Sequence, residues 1–564
     1  MNTTTPEAHG ANGFVPGTVH LVDMQGVMQT KHAKGAENDI VLVPQPSTHP
    51  DDPLNWPSRR KLLSVFCMST YVLVTGICSS ALYSTLDPLS EATGISIADL
   101  NAGTGYMFLA FGWGCLLWQA IALQYGKRPV YLISLLGTMA IMVWQPYIRS
   151  NGQWIVAKLL QGVFGSPIES LGEISVSDVF FTHERGRYLA VYALALGYSN
   201  GIAPLIMAFI TSGQGWRWVF YWCAIFSAGA FVILFFCLEE TNFDRPSVTG
   251  MEESAAIGGT LTASTDEAGP QTADLESRVH QHGDNKSAAL ESSGTEQAHG
   301  DVELVTKSYL AKLRPFQPGV FRRKCHLGLL MLRPLQLTFL PIVAYAGFLY
   351  GCNIIWLSVL NATESLVLSR NPYNFATWQV GLTFIAPIVG TTLGSLYTGL
   401  FGDWLIVKLA RRNGGYFEAE FRLWLFVLLL VLIPFGNILW GVGAEHDINW
   451  FGLVFAMGTI SFTTTSGSQA SIAYLIDAYR DLSGEALVTV IIIRNTMSFG
   501  IGYAVTPWVV NLGYQNAFLL AAFIGLAHNL TIFPVMKWGR ELRRRSATTY
   551  WRYLESAREK GISH

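Results

Sequence analysis

Lys158, Glu169, Glu173 and Asp178 stand within one otherwise apolar stretch, KLLQGVFGSPIESLGEISVSDVFF, and their types suit the binding of protons or cations. At about 100° per residue, Lys158, Gly162, Gly165, Ser166, Glu169, Gly172, Glu173 and Ser177 gather within roughly 140° of one another on a helix. Leu160, Val163, Phe164, Ile168, Leu171 and Ile174 take the other side. Glu169 and Glu173 are one turn apart, and like charges so placed disfavour simultaneous ionisation. One can hold a proton while the other binds a cation. Pro167 removes an intrahelical hydrogen bond and predicts a point of flexure. The competing reading makes Glu169 and Glu173 structural carboxylates that hold helices together. Lys158 is either a coupling partner of these acids or a side chain that snorkels to a nearby interface.

Little else in the sequence offers chemistry of another kind. The segment GKR lacks the leading glycine of a nucleotide-phosphate loop, because Ile121 occupies that place. No Ser/His/Asp or metal-ligand set has a usable spacing, so neither enzymatic activity nor a cofactor or metal is expected. The seven cysteines are scattered singly and suggest no disulfide framework.

The elements that position the acids follow from composition. Half of the 564 residues are hydrophobic and 13% are charged, against about 25% charged in soluble domains. This balance predicts an all-α membrane protein. The net charge of −2 gives no reason to expect a nucleic-acid partner. A helix needs about 20 mainly apolar residues to cross a bilayer core of about 30 Å. Twelve stretches qualify: 62–84, 102–123, 129–148, 153–177, 187–212, 217–238, 336–360, 379–402, 422–443, 450–474, 485–510 and 515–536. They form two sets of six, which divide the chain into a tail (1–60), a first bundle (61–238), a linker (239–335), a second bundle (336–537) and a second tail (538–564). The middle of the linker is rich in Ser, Thr, Gly and Glu and is expected to be disordered, while its basic end suits a membrane surface.

Lys and Arg cluster in alternate connections, in SRRK, GKR, HERGR, the linker end, KLARRNGG and KWGRELRRR. By the positive-inside rule both termini are expected in the cytoplasm. Asn361-Ala-Thr363 is then a glycosylation acceptor in an outside loop, close to the membrane.

Two six-helix halves joined by a long linker resemble the major facilitator superfamily, and local motifs strengthen the resemblance. GKRP, with Gly126, Lys127 and Arg128, follows span 2, where the family carries a Gly-Arg-Arg loop. GLFGD, with Gly399 and Asp403, is similar to the family's G-x-x-x-D after span 8, and KLLQG resembles its span-4 R-x-x-Q-G with Lys158 in place of arginine. DVFFTHERGRY, GWRWVFYW and RNTMSFGIGYAVTPW resemble the fungal 12-span drug:proton antiporter branch, which includes cation and polyamine transporters. The first half departs from the pattern, since Gln119 and Leu123 fall where G-x-x-x-D would stand. The span-5 antiporter signature survives only as Gly197, Gly201 and a displaced Pro204.

The resemblance implies two six-helix bundles around a central cavity, rocking by alternating access. Asp178, Glu184 and Arg185, with the GKR and GLFGD residues, become a cytoplasmic gate or conformational switch. Pro167, Gly197, Gly201 and Pro204 become points of flexure. In the second half Arg494 and Asn495 lie inside span 11, where an arginine needs a carboxylate or a cluster of carbonyls, with Asp477 or Asp403 as the expected partner. His528 is either a proton-coupling group or merely hydrogen-bonded. Tyr83, Tyr106, Trp113, Tyr198, Tyr345 and Trp356 offer a stacking wall for a flat or cationic substrate, with plain packing as the alternative at each.

The expected function is proton-coupled export of a small organic molecule, a fungal secondary metabolite, toxin or drug, across the plasma membrane. The alternatives are proton-coupled import of organic cations or polyamines, and a non-transporting nutrient receptor. The expected partners are the substrate, protons and the bilayer, with the protein acting as a monomer.

Overall fold

The computed structural model describes residues 16–20, 49, 51–242, 314, 316, 325–413 and 416–559. Most of the expected linker therefore lies outside the described residues. In the first half the spanning helices are α1 (Ser58–Ser80), α2 (Ile97–Tyr125), α3 (Lys127–Tyr147), α4 (residues 151–179), α5 (Thr182–Gln214) and α6 (Trp216–Cys237). In the second half they are α7 (Pro341–Leu368), α8 (Thr377–Arg412), α9 (Ala419–Glu445), α10 (Trp450–Ala478), α11 (residues 483–512) and α12 (residues 514–530).

Nine stretches among the described residues are long and apolar enough to cross a membrane, and one of them holds both α11 and α12. These two meet at Gly513, whose φ of +73° breaks the helical path in a region that a side chain enters with difficulty. Of the remaining two helices, α10 contains the polar run TTTSGSQAS. The other, α4, is interrupted: an α segment Asn151–Gly165 gives way to a 3-10 turn, Ser166–Glu169, before helix resumes over Leu171–Val179. Pro167 opens that turn, as its missing N–H and fixed φ favour.

Each half has its own apolar core. Tyr71, Phe111, Tyr131 and Trp154 are buried in the first, and Trp356, Trp440, Tyr474 and Phe518 in the second. The halves meet along two seams where small residues let backbones approach. A Cβ on Gly502 of α11 would lie 2.9 Å from Cα of Gly105 in α2, and one on Gly112 2.8 Å from Cβ of Asn495. Along α5, Cβ atoms on Gly197 and Gly201 would meet Thr391 at 2.7 Å and Ile388 at 2.5 Å of α8. The helix α5 runs unbroken through Pro204. Gly197 and Gly201, expected as points of flexure, thus serve close packing between the halves.

Lys127, Arg128, Arg422 and Arg543 mark one end of the molecule, termed here the basic end. At the opposite end the halves touch. There Asn101 Nδ2 donates to Thr506 Oγ1 at 3.1 Å, Ser365 Oγ donates to Asp87 Oδ2 at 3.3 Å, and Tyr83 meets Asn361.

One expectation needs correction. The seventh span ends at Leu368 rather than 360, so Asn361 is no loop residue. It is buried inside α7, with no room for a glycan. The polar run NATES reads as a loop, but it faces the other half instead of water. Past α12 the chain continues as a helix, α13 (Ile532–Glu559). Its Arg543 donates twice to the buried Glu420, with Nε to Oε1 at 2.9 Å and Nη2 to Oε2 at 2.5 Å, a charge-assisted fork. Before the first span, β1 (Thr18–His20) pairs antiparallel with β2 (Tyr416–Glu418), and the Pro16 carbonyl accepts from Arg543 Nη1 at 2.5 Å.

Candidate functional site

The break in α4 sets the site. Because the 3-10 turn ends at Glu169 and the helix restarts at Leu171, both Glu169 and Glu173 turn toward the space between the halves. That space is a cavity of about 170 Å³, measured as the volume open to the centre of a water molecule. Its first-half wall is built from α1, α2, α4 and α5, with Ser80, Phe111, Tyr192 and Asn200. The second half contributes Tyr350 and Asn361 of α7, Phe384 of α8, Gln469 of α10, and Arg494 and Asn495 of α11. The lining is mostly apolar with a few convergent polar groups, the usual make-up of a small-molecule site.

One ion pair crosses this cavity from half to half. Arg494 Nη2 donates to Glu169 Oε1 at 2.5 Å and to Asn495 Oδ1 at 2.8 Å, while Nη1 donates to the Tyr350 hydroxyl at 2.8 Å. The guanidinium carbon also lies 5.0 Å from the centre of the Tyr350 ring, within cation–π range. Glu169 is 9% exposed and Arg494 3%, and two buried opposite charges in contact satisfy one another. Glu173, one turn on, is only half-buried and has neither a hydrogen bond nor an ion pair among the described residues. The cavity thus holds two carboxylates and one guanidinium, with Glu173 as the acid left over. The partner of Arg494 is Glu169, and neither Asp477 nor Asp403 as the sequence suggested. Those two acids both bond Arg422, at 2.8 Å and 3.4 Å.

Lys158 joins neither group. It is 1% exposed and points into the first bundle, where Nζ donates to Gln161 Oε1 at 2.9 Å and lies 4.8 Å from the centre of the Trp154 ring. Gln161 is fixed by Gln145 Nε2, at 2.8 Å, and by its own bond to the Cys78 carbonyl, at 3.0 Å. Lys158 therefore neither snorkels nor lines the cavity. His528 is likewise buried in its own bundle, with Nδ1 at 3.2 Å from the Ile524 carbonyl. Of the six aromatic residues expected to form a wall, only Tyr83 lines the cavity. Trp113 is exposed toward the outside of the bundle, and the Tyr198 hydroxyl bonds Thr392 Oγ1 across the α5–α8 seam at 3.1 Å. The rings that do line it, Tyr192 and Tyr350 among them, sit in ordinary apolar-aromatic runs with no distinguishing spacing.

At the basic end each half closes its own charges. Lys127 Nζ is paired with Asp178 and also lies 3.5 Å from the Ile174 carbonyl. Glu240 accepts the backbone N–H groups of Lys127, at 2.9 Å, and Arg128, at 3.0 Å, so a carboxylate caps the N-terminus of α3. Burial raises the Glu240 carboxyl above its ordinary value, and these N–H bonds work against that rise. Gly126 makes the geometry possible. Its φ is +113°, and a Cβ there would lie 2.6 Å from Glu240 Oε2. Arg128 donates to the carbonyls of Phe235, at 2.7 Å, and Arg314, at 3.1 Å. Gln119, standing where the family motif would have glycine, reaches the Gly484 carbonyl of the other half at 3.4 Å. In the second half Gly399 lies in a π turn, Tyr397–Phe401, and Asp403 follows it. Glu184 and Arg185 lie outside the described side chains.

Glu364 of α7 escaped the sequence reading. It is a carboxylate near the end opposite the basic one, 1% exposed, with Oε1 accepting from Thr383 Oγ1 at 3.1 Å and Oε2 without a partner. Its signal was present, an acid followed by the apolar SLVL, but it fell past the expected end of the span. Among the described residues no group of three or more His, Cys, Asp and Glu is arranged to hold a metal.

Comparison with known proteins agrees with this architecture. The profile of the Major Facilitator Superfamily matches residues 68–487. An uncharacterised MFS-type transporter of Schizosaccharomyces pombe is 30% identical, with 96% of this chain and 95% of that protein aligned. Protein HOL1 of Saccharomyces cerevisiae is 26% identical over 96% of this chain and 97% of its own. The MFS antiporter QDR3 of Candida albicans is 21% identical over 91% and 82%. Among solved structures, a D-xylose-proton symporter superposes with a TM-score of 0.53 at 11% identity, covering 84% of this chain and 97% of that one.

Proposed function

Since this chain belongs to the major facilitator superfamily, we propose that it is a proton-coupled secondary transporter that exports a small organic molecule in exchange for protons. The observation that carries the proposal is the cross-cavity pair Glu169–Arg494 with the unpartnered Glu173 one turn away. In this reading Arg494 neutralises Glu169 and leaves Glu173 to bind either a proton or the positive end of a substrate. The two occupants exclude each other, which is what exchange requires. The rings of Tyr192, Tyr350, Phe111 and Phe384 provide an apolar wall for the remainder of the molecule, and the Asn and Ser side chains orient it.

Alternating access follows if the halves rock about the α2–α11 and α5–α8 seams. The basic end is assigned to the cytoplasm by the positive-inside rule, with both termini on that side and the plasma membrane as the site of action. Lys127–Asp178 and Asp403–Arg422–Asp477 then stiffen the cytoplasmic ends of the halves as a gate. The similarity to a protein named an antiporter supports exchange.

A second reading, import of organic cations or polyamines, is favoured by the same surplus carboxylate, because Glu173 gives the cavity an uncompensated acid. Flux of radiolabelled organic cations and neutral toxicants into inside-out vesicles, with a proton gradient imposed and then collapsed, separates the two. Uptake driven by an acid interior supports export by exchange. Uptake that runs equally with and without the gradient contradicts proton coupling in either direction.

A further inference from the structure

Glu364 lies outside the cavity lining, yet the contacts that close the end opposite the basic one are arranged around it. One turn before it, Asn361 meets Tyr83 at the end of α1. The next residue, Ser365, donates to Asp87 of the first half at 3.3 Å. The only hydrogen-bond partner of Glu364 among the described residues, Thr383, belongs to the segment of α8 in which Gly381 packs against α5, where an added Cβ would lie 2.3 Å from Cβ of Ala208. The carboxyl therefore sits beside the α5–α8 seam and the contacts of Asn361 and Ser365 with the first half.

No cation balances it. Among the described residues no Lys, Arg or His forms an ion pair with Glu364, and one carboxyl oxygen has no partner. The ionisable groups on neighbouring elements are Tyr83, Asp87, Glu91, Arg370, Tyr373, Glu445 and Tyr514, and none of them hydrogen-bonds it. The lengths of α8 and α10 on this side carry no acid or base. An ionised carboxylate buried without a partner is costly, whereas the protonated acid needs only one acceptor or donor nearby.

We propose that Glu364 is a second proton-binding site, whose protonated carboxyl holds the outward end closed and whose deprotonation, once water reaches it, favours the open state. This rests on the proton-coupled reading above and adds a site on the outward path. Protons would be exchanged with the outside at Glu364 and with the substrate at Glu173. The reaction is proton binding and release alone, with external water as the acceptor.

Ser358 lines the space just beneath the closed contacts and touches both the central cavity and the small pocket above it. A cysteine there becomes reachable from outside only when the outward end opens. The test is the labelling rate of Ser358→Cys on intact cells by a membrane-impermeant maleimide, across external pH 5 to 8, read by mass spectrometry. With Glu364 present the rate should rise with pH more steeply than the reagent's own thiolate dependence. In Ser358→Cys with Glu364→Gln, only the reagent's dependence should remain, and labelling should be slow throughout. Should that variant fail to reach the membrane, Thr383→Val serves. It removes a donor that favours the ionised carboxyl, so the midpoint should move to higher pH. Asp87→Asn is measured alongside, since burial raises that carboxyl too. Identical pH dependence with Glu364 and with Gln overturns the proposal, as does an unmoved midpoint in Thr383→Val or a pH response that disappears with Asp87. Failure of the underlying coupling reading would appear elsewhere, as substrate flux indifferent to pH in the Glu173 variant and the parent alike.

Discussion

The centre of the molecule and its basic end use charge differently. At the basic end the pairs of Lys127 with Asp178, Arg60 with Glu239, Arg422 with Asp403 and Asp477, and Arg543 with Glu420 each close within one half, and Arg333 of the linker end pairs with Glu485 of the second. At the centre the pair is split, with Glu169 from the first half and Arg494 from the second. Pairs inside a half survive any rigid-body rocking and keep each bundle stiff. A pair between halves changes partner or solvation when the halves move, so its energy depends on the state of the transporter. The surplus Glu173 beside it then has a state-dependent environment as well, which coupling needs.

The comparison predicts where substitutions act. The largest effect is expected from Arg494→Met, which leaves Glu169 buried and unpaired at a cost of about 3–5 kcal/mol. Transport per molecule should fall by about two orders of magnitude, and Glu169→Gln added to it should restore much of the thermal stability in detergent. Next comes Arg543→Met at the basic end. It should lower stability by about 3 kcal/mol for the same physical reason, while flux per folded molecule stays near that of the parent. If both arginines affected flux alike, the distinction between pairs within and between halves would fall.

A moderate effect is expected for Asp178→Asn. Lys127 loses its partner, and the balance of inward-open and outward-open states should shift several-fold in a cysteine-accessibility assay, with the pH profile of transport in place. The smallest effect belongs to Arg545→Ala. The Arg545–Glu541 side chains are 76% and 40% exposed, and a pair so open to water contributes about 0–1 kcal/mol. A melting curve close to that of the parent is the expected result.

The sequence made the twelve helices and the small, polar face of α4 legible because apolar length and helical periodicity are local properties. Tertiary partnering is not. Arg494 plainly needed a partner, but the acids expected for it, Asp477 and Asp403, are both held by Arg422. The true partner lies in the other half, 325 positions away. Lys158 shares the periodicity of Glu169 but sits before the break at Pro167, so the 3-10 turn rotates the two faces apart. Glu364 was missed and Asn361 misplaced in a loop because a helix end buried between two bundles can be polar, and hydropathy ends the span too early. Hydropathy does not mark α13 because it is strongly charged, with Arg540, Arg544 and Arg545 largely exposed and Arg543 buried against Glu420.

The central claim is that Glu173 carries the exchangeable proton while Glu169 serves the pair between the halves. It is tested most directly by the pH dependence of proton-driven flux in vesicles containing Glu173→Gln, compared with Glu169→Gln and with the parent at equal amounts in the membrane. Glu173→Gln preserves shape and removes titration, so it should be as stable as the parent and lose the pH dependence of transport. Glu169→Gln should instead lose stability through the stranded Arg494, and the double variant should have the pH response of Glu173→Gln alone. Normal flux with an unaltered pH profile in both single variants would contradict the claim and return the two acids to structural roles.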